Sequence, residues 1–264
     1  MKISIIIPAY NEEKRIGRTL EEFSEFFLKI QKSKQIYFSI LVVINNTRDR
    51  TKEIVKKLMK KYEQISFLDF KRGGKGFALT EGFKHSIKDK KNFDLIGFVD
   101  ADLATSPNEY LKLIEHINEN DGVIADRYAK ESKVIPRFSF RRIIVSRILN
   151  LIVRVLFLLP YRDTQCGAKV FKKKILEKVI SDLTITQWAY DIDLLYNLKE
   201  NNAKIISIPT IWKEMEGSKL NIIRASIEMI FAILQLRIIR SRFKKIIKPL
   251  ENPIGAIYKI LKRN

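Results

Sequence analysis

The chain has 264 residues, 46% of them hydrophobic, so it is long enough to bury a sizeable core and disorder is excluded as its main state. Its single cysteine, Cys166, excludes an internal disulfide, and the apolar run at residues 3–7 has the length of a strand rather than of a signal peptide, so we expect an intracellular protein. The formal net charge of +20 is concentrated in two segments: residues 127–174 carry 13 Lys and Arg against 2 acids, and residues 213–264 carry 12 against 4. Basic surface of this kind attracts phosphate groups, in nucleic acid or on an anionic membrane.

The first half of the chain alternates short β-branched runs with helical patterns. Strands are predicted at residues 3–7, 40–44, 65–70, 95–99 and 123–125, and helices at about 12–30, 50–62, 75–88 and 107–119. Ser106 and Pro107 begin the last of these helices as N-cap and first helical residue. This alternation predicts an α/β fold with a mostly parallel sheet covered by helices on both faces. Ligands bind such a sheet beyond the carboxyl ends of its strands, so residues just after the strands are candidates for chemistry.

Two apolar segments, 138–159 and 221–239, distinguish the second half, and each is interrupted by charged residues. Neither contains the roughly 18 uninterrupted apolar residues expected of a membrane-spanning helix. We interpret them as amphipathic helices that lie in a membrane interface with basic residues at headgroup depth. The alternative is that both are ordinary buried helices.

Asp100 and Asp102 directly follow the predicted strand at 95–99. Two carboxylates at this spacing can share a divalent cation, Mg²⁺ or Mn²⁺, which would clamp the phosphates of a nucleotide diphosphate and neutralise the leaving group. An Asp-x-Asp triplet is common in loops, so its position at a strand end is what makes it informative.

Further motifs follow the other predicted strands: Pro8-Ala9-Tyr10-Asn11-Glu12, the turn from Asn45 to Thr51, and Arg72-Gly73-Gly74-Lys75-Gly76. Together with Asp100-Ala101-Asp102, their order and spacing resemble the inverting family 2 glycosyltransferases of the GT-A (Rossmann-like) fold. Three later segments, beginning at Asp163, Trp188 and Trp212, are similar to the dolichyl-phosphate glucose synthases and more distantly to the dolichol-phosphate mannose synthases.

The resemblance covers about residues 3–220. It implies a GT-A domain at 1–220, which includes the interface helix at about 138–159, and C-terminal amphipathic membrane-associated helices at 221–264.

The resemblance also implies a nucleotide-sugar site after the predicted strands. Its residues are Pro8, Ala9, Tyr10, Glu12, Asn45, Asp49, Lys75, Asp100 and Ala101. Tyr10 can stack on a base, and Lys75 in a glycine-rich turn can meet phosphate charge. Glu12 and Asp49 have the alternative role of starting helices. Related enzymes commonly carry two acids where this chain has Ile44 and Asn45, so the base stays open, with uracil favoured.

For the acceptor phosphate the resemblance implies Arg127, Arg142, Ser146 and Lys219. Arg142 and Ser146 lie one helical turn apart and match the pattern with which the mannose synthases bind lipid phosphate, and the neighbouring Arg137, Arg141 and Arg147 are alternatives to Arg142. Asp191 is expected to orient the sugar or a phosphate-binding arginine, with a buried structural role as the alternative. The implied catalytic residues are therefore Asp100, Asp102, Arg142 and Asp191.

The function implied is inverting transfer of a hexose, glucose first, from UDP-glucose to dolichyl or polyprenyl phosphate, by an enzyme bound peripherally at the cytoplasmic face of a membrane rich in anionic lipids. A phosphate acceptor is largely ionised near neutral pH and needs no general base. A mannose synthase using GDP-mannose is the alternative within the enzymes. A basic nucleic-acid-binding protein is the alternative from another class, but it gives no role to Asp100 and Asp102, so we expect no nucleic-acid partner. The sequence leaves the oligomeric state open.

Overall fold

A computed structural model describes residues 1–136, 139–184, 189–213 and 222–241. The strands are β1 (Lys2–Ala9), β2 (Tyr37–Asn45), β3 (Ile65–Phe70), β4 (Leu95–Val99), β5 (Gly122–Asp126), β6 (Lys133–Ile135), β7 (Ala168–Lys172), β8 (Ile205–Pro209) and β9 (Ile211–Lys213). The helices are α1 (Ile16–Lys34), α2 (Thr51–Met59), α3 (Lys75–Lys88), α4 (Pro107–Glu115), α5 (Phe140–Phe157), α6 (Lys173–Val179), α7 (Tyr190–Glu200) and α8 (Ile222–Ile239), and a 3-10 turn at Ile180–Asp182 follows α6.

The main sheet has seven strands in the order β3-β2-β1-β4-β7-β5-β8. All neighbouring pairs are parallel except those of β7, which runs antiparallel to both β4 and β5. The first residues of β7 therefore lie at the edge of the sheet where the parallel strands end. β6 and β9 form a separate two-stranded parallel sheet. The prediction of an α/β fold with a mostly parallel sheet is confirmed.

The strands β1, β2 and β4 bury apolar side chains on both faces, because helices cover both. Ile5 belongs to the core beneath α1, α2 and α4, whereas Ile6 packs into the core formed with α3, α6 and α7. This near-continuous apolar character is expected of parallel strands buried on both sides. It explains why β1 and β2 could be predicted from short isoleucine- and valine-rich runs.

Three helix bounds differ from the predictions by four residues: α1 begins at Ile16 rather than 12 and ends at Lys34 rather than 30, and α4 ends at Glu115 rather than 119. The backbone amide of Glu12 donates to Thr51 Oγ1 at 2.8 Å, and that of Glu13 donates to Asp49 Oδ2 at 3.0 Å. These bonds tie the turn to the start of α2. The predicted cap of α4 is confirmed, since Ser106 Oγ accepts from the amide of Glu109.

The two helices predicted for the membrane interface pack on each other and on the domain. α8 buries Met229, Ile233 and Leu236 in the core that also holds Val153 and Phe157 of α5. The predicted boundary at residue 220 lies outside the described residues. Within the described ranges, no helix is apolar over enough of its length to cross a bilayer.

One face of α5 is apolar and exposed to solvent. Its side chains are 42–76% exposed and follow one another at intervals of three or four residues, as expected for one side of a helix. These residues, called the α5 stripe below, are Phe140, Ile144, Ile148, Leu151, Val155 and Leu158.

Candidate active site

Asp100 and Lys75 meet at the carboxyl edge of the sheet. Lys75 is the first residue of α3 and follows Gly74, whose φ of 122° is accessible to glycine but rarely to other residues. The Lys75 ammonium lies 2.5 Å from Asp100 Oδ1. Burial lowers the pKa of Lys75, but the carboxylates of Asp100, Asp191 and Asp102 outweigh this and raise it above its usual range. Lys75 is therefore a positively charged side chain surrounded by acids, and its ammonium group can turn towards the phosphate of a ligand.

The residues predicted to bind the cation fit a site that is completed by substrate. Asp102 Oδ1 accepts from the amide of Ala104 at 3.0 Å, and burial followed by the nearby charge of Asp100 raises the pKa of Asp102. Among the described residues, no three His, Cys, Asp or Glu side chains converge to hold a metal by themselves. Mg²⁺ characteristically binds one or two carboxylates together with substrate phosphates. Asp100 and Asp102 therefore suit a cation that arrives with a diphosphate.

Glu12 and Tyr10 lie beyond the end of β1, as predicted for the nucleoside pocket. Tyr10 is 54% exposed, so its ring is accessible for stacking. Glu12 forms a two-pronged ion pair with Arg15, with distances of 2.7 Å to Nε and 2.8 Å to Nη2. Burial raises the pKa of Glu12, and Arg15 opposes that shift. The sequence analysis missed Arg15, whose charge also acts on Asp102.

Asn45 connects the end of β1 to the glycine-rich turn. Its Nδ2 donates to the carbonyl of Ala9 at 3.0 Å, and its Oδ1 accepts from the amide of Gly74 at 3.1 Å. The side chain is buried. Asn45 therefore fixes the turn that presents Lys75, and its contact with a base stays a prediction.

Asp49 takes the structural role that the sequence left open. Its carboxylate accepts from the amides of Glu13 and Thr51, both at 3.0 Å, and from Thr51 Oγ1 at 2.6 Å. Burial raises the pKa of Asp49, but these hydrogen bonds outweigh it and hold the pKa below its ordinary value. Asp49 organises the start of α2, while nucleotide binding by this residue stays a prediction.

Arg127, which is predicted to bind the acceptor phosphate, pairs with the fully buried Asp163. Its Nε and Nη2 lie 2.7 and 3.0 Å from the two carboxylate oxygens, and its backbone amide donates to the same group at 3.1 Å. Burial raises the pKa of Asp163, but Arg127 outweighs it and lowers the pKa. The guanidinium also lies 5.5 Å from the ring of Trp212. Arg127 is therefore already paired with a carboxylate, and acceptor binding by this residue stays a prediction.

Arg142 and Ser146 lie on α5, as predicted. Ser139 caps the helix and accepts from the amide of Arg142 at 3.4 Å, and the hydroxyl of Ser146 is hydrogen-bonded to that of Tyr128. Arg147 lies 4.5 Å from the centre of the Tyr128 ring. Lys219 is outside the described residues. The structure thus places two of the four predicted acceptor residues on one helix next to the segment that carries Arg127.

A cavity of about 640 Å³ lies between α5 and the segment 127–136. Arg127, Arg147 and Lys133 supply positive charge to its lining, and Val134 and Ile143 supply apolar surface. This mixture suits a molecule with an anionic group and an apolar body.

Asp191 lies in the first turn of α7 and is bound by Lys169, a residue that the sequence analysis missed. Lys169 is fully buried in the middle of β7, and its ammonium also donates to the carbonyl of Cys166 at 2.7 Å. A lysine inside a short strand that is otherwise apolar was the available signal, because such a residue needs a buried partner. The Trp188 end of the predicted motif is outside the described residues.

Comparison with known proteins identifies relatives of this chain in one enzyme family. A family model described as Glycosyl transferase family 2 matches residues 4–180. The dolichyl-phosphate beta-glucosyltransferase of Homo sapiens is 31% identical over 230 residues, covering 83% of this chain and 69% of that one. The enzyme of the same name from Dictyostelium discoideum is 29% identical over 245 residues, covering 89% and 73%.

Two solved structures share the fold. Glucosyl-3-phosphoglycerate synthase from Mycobacterium tuberculosis, in complex with Mn²⁺, UDP-glucose and phosphoglyceric acid, has a TM-score of 0.63 at 16% identity, covering 89% of this chain and 79% of that one. Mannosyl-3-phosphoglycerate synthase from Rubrobacter xylanophilus has a TM-score of 0.65 at 15% identity, covering 93% and 75%. At these identities the likeness is one of fold alone.

Proposed function

This chain belongs to glycosyl transferase family 2, and from that membership we propose that it transfers glucose from UDP-glucose to dolichyl or polyprenyl phosphate with inversion at the anomeric carbon. The family match and the shared fold confirm the prediction, made from the sequence motifs, that this chain is a glycosyltransferase with the GT-A fold. One observation carries the proposal: the carboxylates of Asp100 and Asp102 lie with Lys75 at one edge of the sheet, and the arginines of the acceptor side follow on α5 and after β5. The choice of glucose rests on the names of the relatives.

The donor side suits a sugar diphosphate. Mg²⁺ or Mn²⁺ held by Asp100 and Asp102 would neutralise charge on the leaving diphosphate. The Lys75 side chain is 40% exposed and can exchange Asp100 for a phosphate oxygen, since a lysine ammonium rotates freely on its long stem. Solved mycobacterial relatives in fold contain UDP with Mn²⁺ or Mg²⁺, which supports the same pair for this chain.

The reaction needs no proton to be removed from the acceptor. A phosphate oxygen of the lipid forms the new bond to the anomeric carbon, and the bond from that carbon to the diphosphate oxygen breaks on the opposite face. The products are the β-linked lipid phosphate sugar and the nucleotide diphosphate. Arg142 and Ser146, one turn apart on α5, would hold the attacking phosphate, because a guanidinium stays charged and presents forked donors to phosphate oxygens.

A membrane surface is the proposed location of the acceptor. Arg147 and Arg154 are exposed and flank one side of the α5 stripe, as follows from about 100° of rotation per helical residue. Apolar side chains bordered by arginine suit a helix lying at the boundary between headgroups and acyl chains. Exposed Ile227, Ile230 and Leu234 give α8 a second apolar surface. We propose peripheral attachment through both helices, and the cytoplasmic face stays a prediction.

A donor panel tests the proposed activity. The purified chain is incubated with UDP-glucose or GDP-mannose and a short polyprenyl phosphate, and both the released nucleotide and the glycosylated lipid are measured. We expect UDP release coupled to lipid glucosylation, with no transfer to the matched polyprenol that lacks phosphate. Transfer from GDP-mannose alone would reassign donor and sugar, and absence of transfer from either donor would refute the proposal.

A further inference from the structure

Lys169 is the buried centre of a charge network below the candidate active site. Its side chain is fully buried, donates to Asp191 and to the carbonyl of Cys166, and lies 5.1 Å from the centre of the Phe98 ring. A buried ion pair is weak evidence for stability, because removing two charges from water is costly. Lys169 is therefore better explained by its effect on Asp191, the carboxylate that it binds, than by stabilisation of the fold.

Asp191 faces positive charge from two packed elements. Lys169 approaches it from β7, and Lys75 approaches from α3, where the charge of Asp191 is among those that raise the Lys75 pKa. On its own helix, the nearest acid is Asp193, which is bound separately by Arg240 at 2.6 Å. Asp100 is the neighbouring acid on the strand side and is paired with Lys75. The contact with Lys169 is thus the direct ion pair of Asp191 among the described residues.

This pairing conflicts with use of Asp191 as a general base. A base must take up a proton as a hydroxyl acceptor attacks. Among the described residues, protonated Asp191 would leave the buried Lys169 ammonium in direct contact with a backbone carbonyl and an aromatic ring, and the carboxylate of Asp163, whose charge also acts on Lys169, is already paired with Arg127. A buried charge that loses its direct partner is strongly unfavourable.

We propose that Lys169 is a positioning residue that holds Asp191 as a permanently paired carboxylate and so withholds it from proton transfer, which restricts the site to acceptors that arrive already ionised. The inference rests on the proposed transfer to a lipid phosphate. It identifies Lys169 as the residue that makes the site suitable for acceptors of that class. Asp191 then acts as a fixed charge that aligns Lys75 and the donor.

Variants of the full chain test this inference. Lys169→Met removes the charge at similar length, and Lys169→Arg keeps it. For Lys169→Met we expect kcat to fall roughly tenfold with the KM for UDP-glucose unchanged. We also expect a new loss of activity on the acidic side of neutral pH, because an unpaired buried carboxylate takes up a proton more readily. Lys169→Arg should keep the wild-type pH profile.

A double variant separates this role from simple support of the fold. If Lys169 acts through Asp191, then Lys169→Met combined with Asp191→Asn should be no less active than Asp191→Asn alone, and both should bind UDP and unfold cooperatively. If the double variant loses activity by the product of the two single-variant losses, the inference is overturned. A folded Lys169→Met with the wild-type kcat and pH profile would also overturn it. Wild-type protein without any transfer to polyprenyl phosphate would instead refute the proposed function.

Discussion

Gly167 lies against the carboxylate of Asp100, so that a methyl group on Gly167 would come within 1.8 Å of Asp100 Oδ2. No side chain larger than hydrogen fits there unless Asp100 moves. We therefore expect Gly167→Ala to displace Asp100 and to lower kcat by roughly a hundredfold, the cost of misplacing a catalytic group by about 1 Å. Steady-state transfer assays and the Mn²⁺ concentration needed for half-maximal activity measure the effect.

Gly17→Ala is the matched control for that substitution. A methyl group on Gly17 meets only Ile54 Cγ2, at 3.4 Å, and the residue lies inside α1. Alanine is favoured over glycine in a helix by up to about 1 kcal/mol, so this variant should be fully active and no less stable. A Gly167→Ala protein as active as Gly17→Ala would contradict the close approach to Asp100.

Cation dependence follows from the two carboxylates after β4. EDTA should abolish transfer, and added Mg²⁺ or Mn²⁺ should restore it. Asp102→Asn should fold normally, because its one described hydrogen bond is from the amide of Ala104, which an asparagine oxygen can also accept, but it should be inactive at any metal concentration. Circular dichroism and transfer assays check both points. Full activity in EDTA is the result that would contradict a metal at Asp100 and Asp102.

Arg142 is expected to act on the acceptor alone. Arg142→Ala should raise the KM for polyprenyl phosphate at least tenfold, since a charge-assisted hydrogen bond contributes about 1.5–3 kcal/mol, and should leave the KM for UDP-glucose unchanged. Arg18→Ala is the control, because Arg18 is an exposed arginine on α1, outside the proposed acceptor and membrane surfaces. If the donor KM rises and the acceptor KM does not, Arg142 belongs to the donor side.

The α5 stripe should determine binding to vesicles. Leu151→Glu combined with Val155→Glu places two acids on a surface whose native side chains are 57% and 64% exposed, so folding should be little affected. We expect this variant to remain in the supernatant when the wild type sediments with anionic liposomes. Salt should release the wild type only partly, because it screens charge and leaves apolar insertion intact.

Leu28→Glu provides the comparison, since Leu28 is an apolar residue on α1 with 40% exposure and lies outside the stripe. It should sediment like the wild type. If the stripe variant and Leu28→Glu sediment equally, the α5 stripe does not bind vesicles and α5 is an ordinary solvent-exposed helix.

The end of α8 is tied to α7 by an ion pair in the interior. Arg240 Nη2 lies 2.6 Å from Asp193 Oδ1 and 2.5 Å from the carbonyl of Asp182, and the Asp193 side chain is fully buried. Arg240→Gln should lower the free energy of unfolding by about 3 kcal/mol, because it removes a cation that is bound to a buried carboxylate. Urea denaturation measures the loss. Adding Asp193→Asn should recover part of it, and an additive double variant would show that the pair is not coupled.

The sequence predicted the elements whose signals are local. Short apolar runs located β1 to β5, and Ser106 with Pro107 located the start of α4. The strand β7 was missed because its five residues include two lysines, and Lys169 looks polar until its partner Asp191 is known. Its antiparallel direction depends on pairing with strands far away in the sequence.

The same distinction applies to the site. Asp100, Lys75 and Glu12 stand in recognisable motifs and were predicted. The ion pair between Arg127 and Asp163 joins residues 36 positions apart, and the approach of Gly167 to Asp100 spans an even larger separation, so neither follows from local pattern. The first contact pairs Arg127 with a buried carboxylate, and the second limits where the carboxylate of Asp100 can lie.

The reversed direction of β7 gives the chain a short mechanical connection. Because β7 starts at the catalytic edge, only the ten residues 158–167 separate the last turn of α5 from the strand that carries Lys169. Within that connection, Asp163 grips Arg127 and Gly167 abuts Asp100. If α5 lies on a bilayer as proposed, this connection joins it directly to Asp100, one of the residues proposed to bind the cation and the diphosphate. We expect that residues inserted into this connection would uncouple the position of α5 from that of Asp100, even if every proposed catalytic side chain were kept.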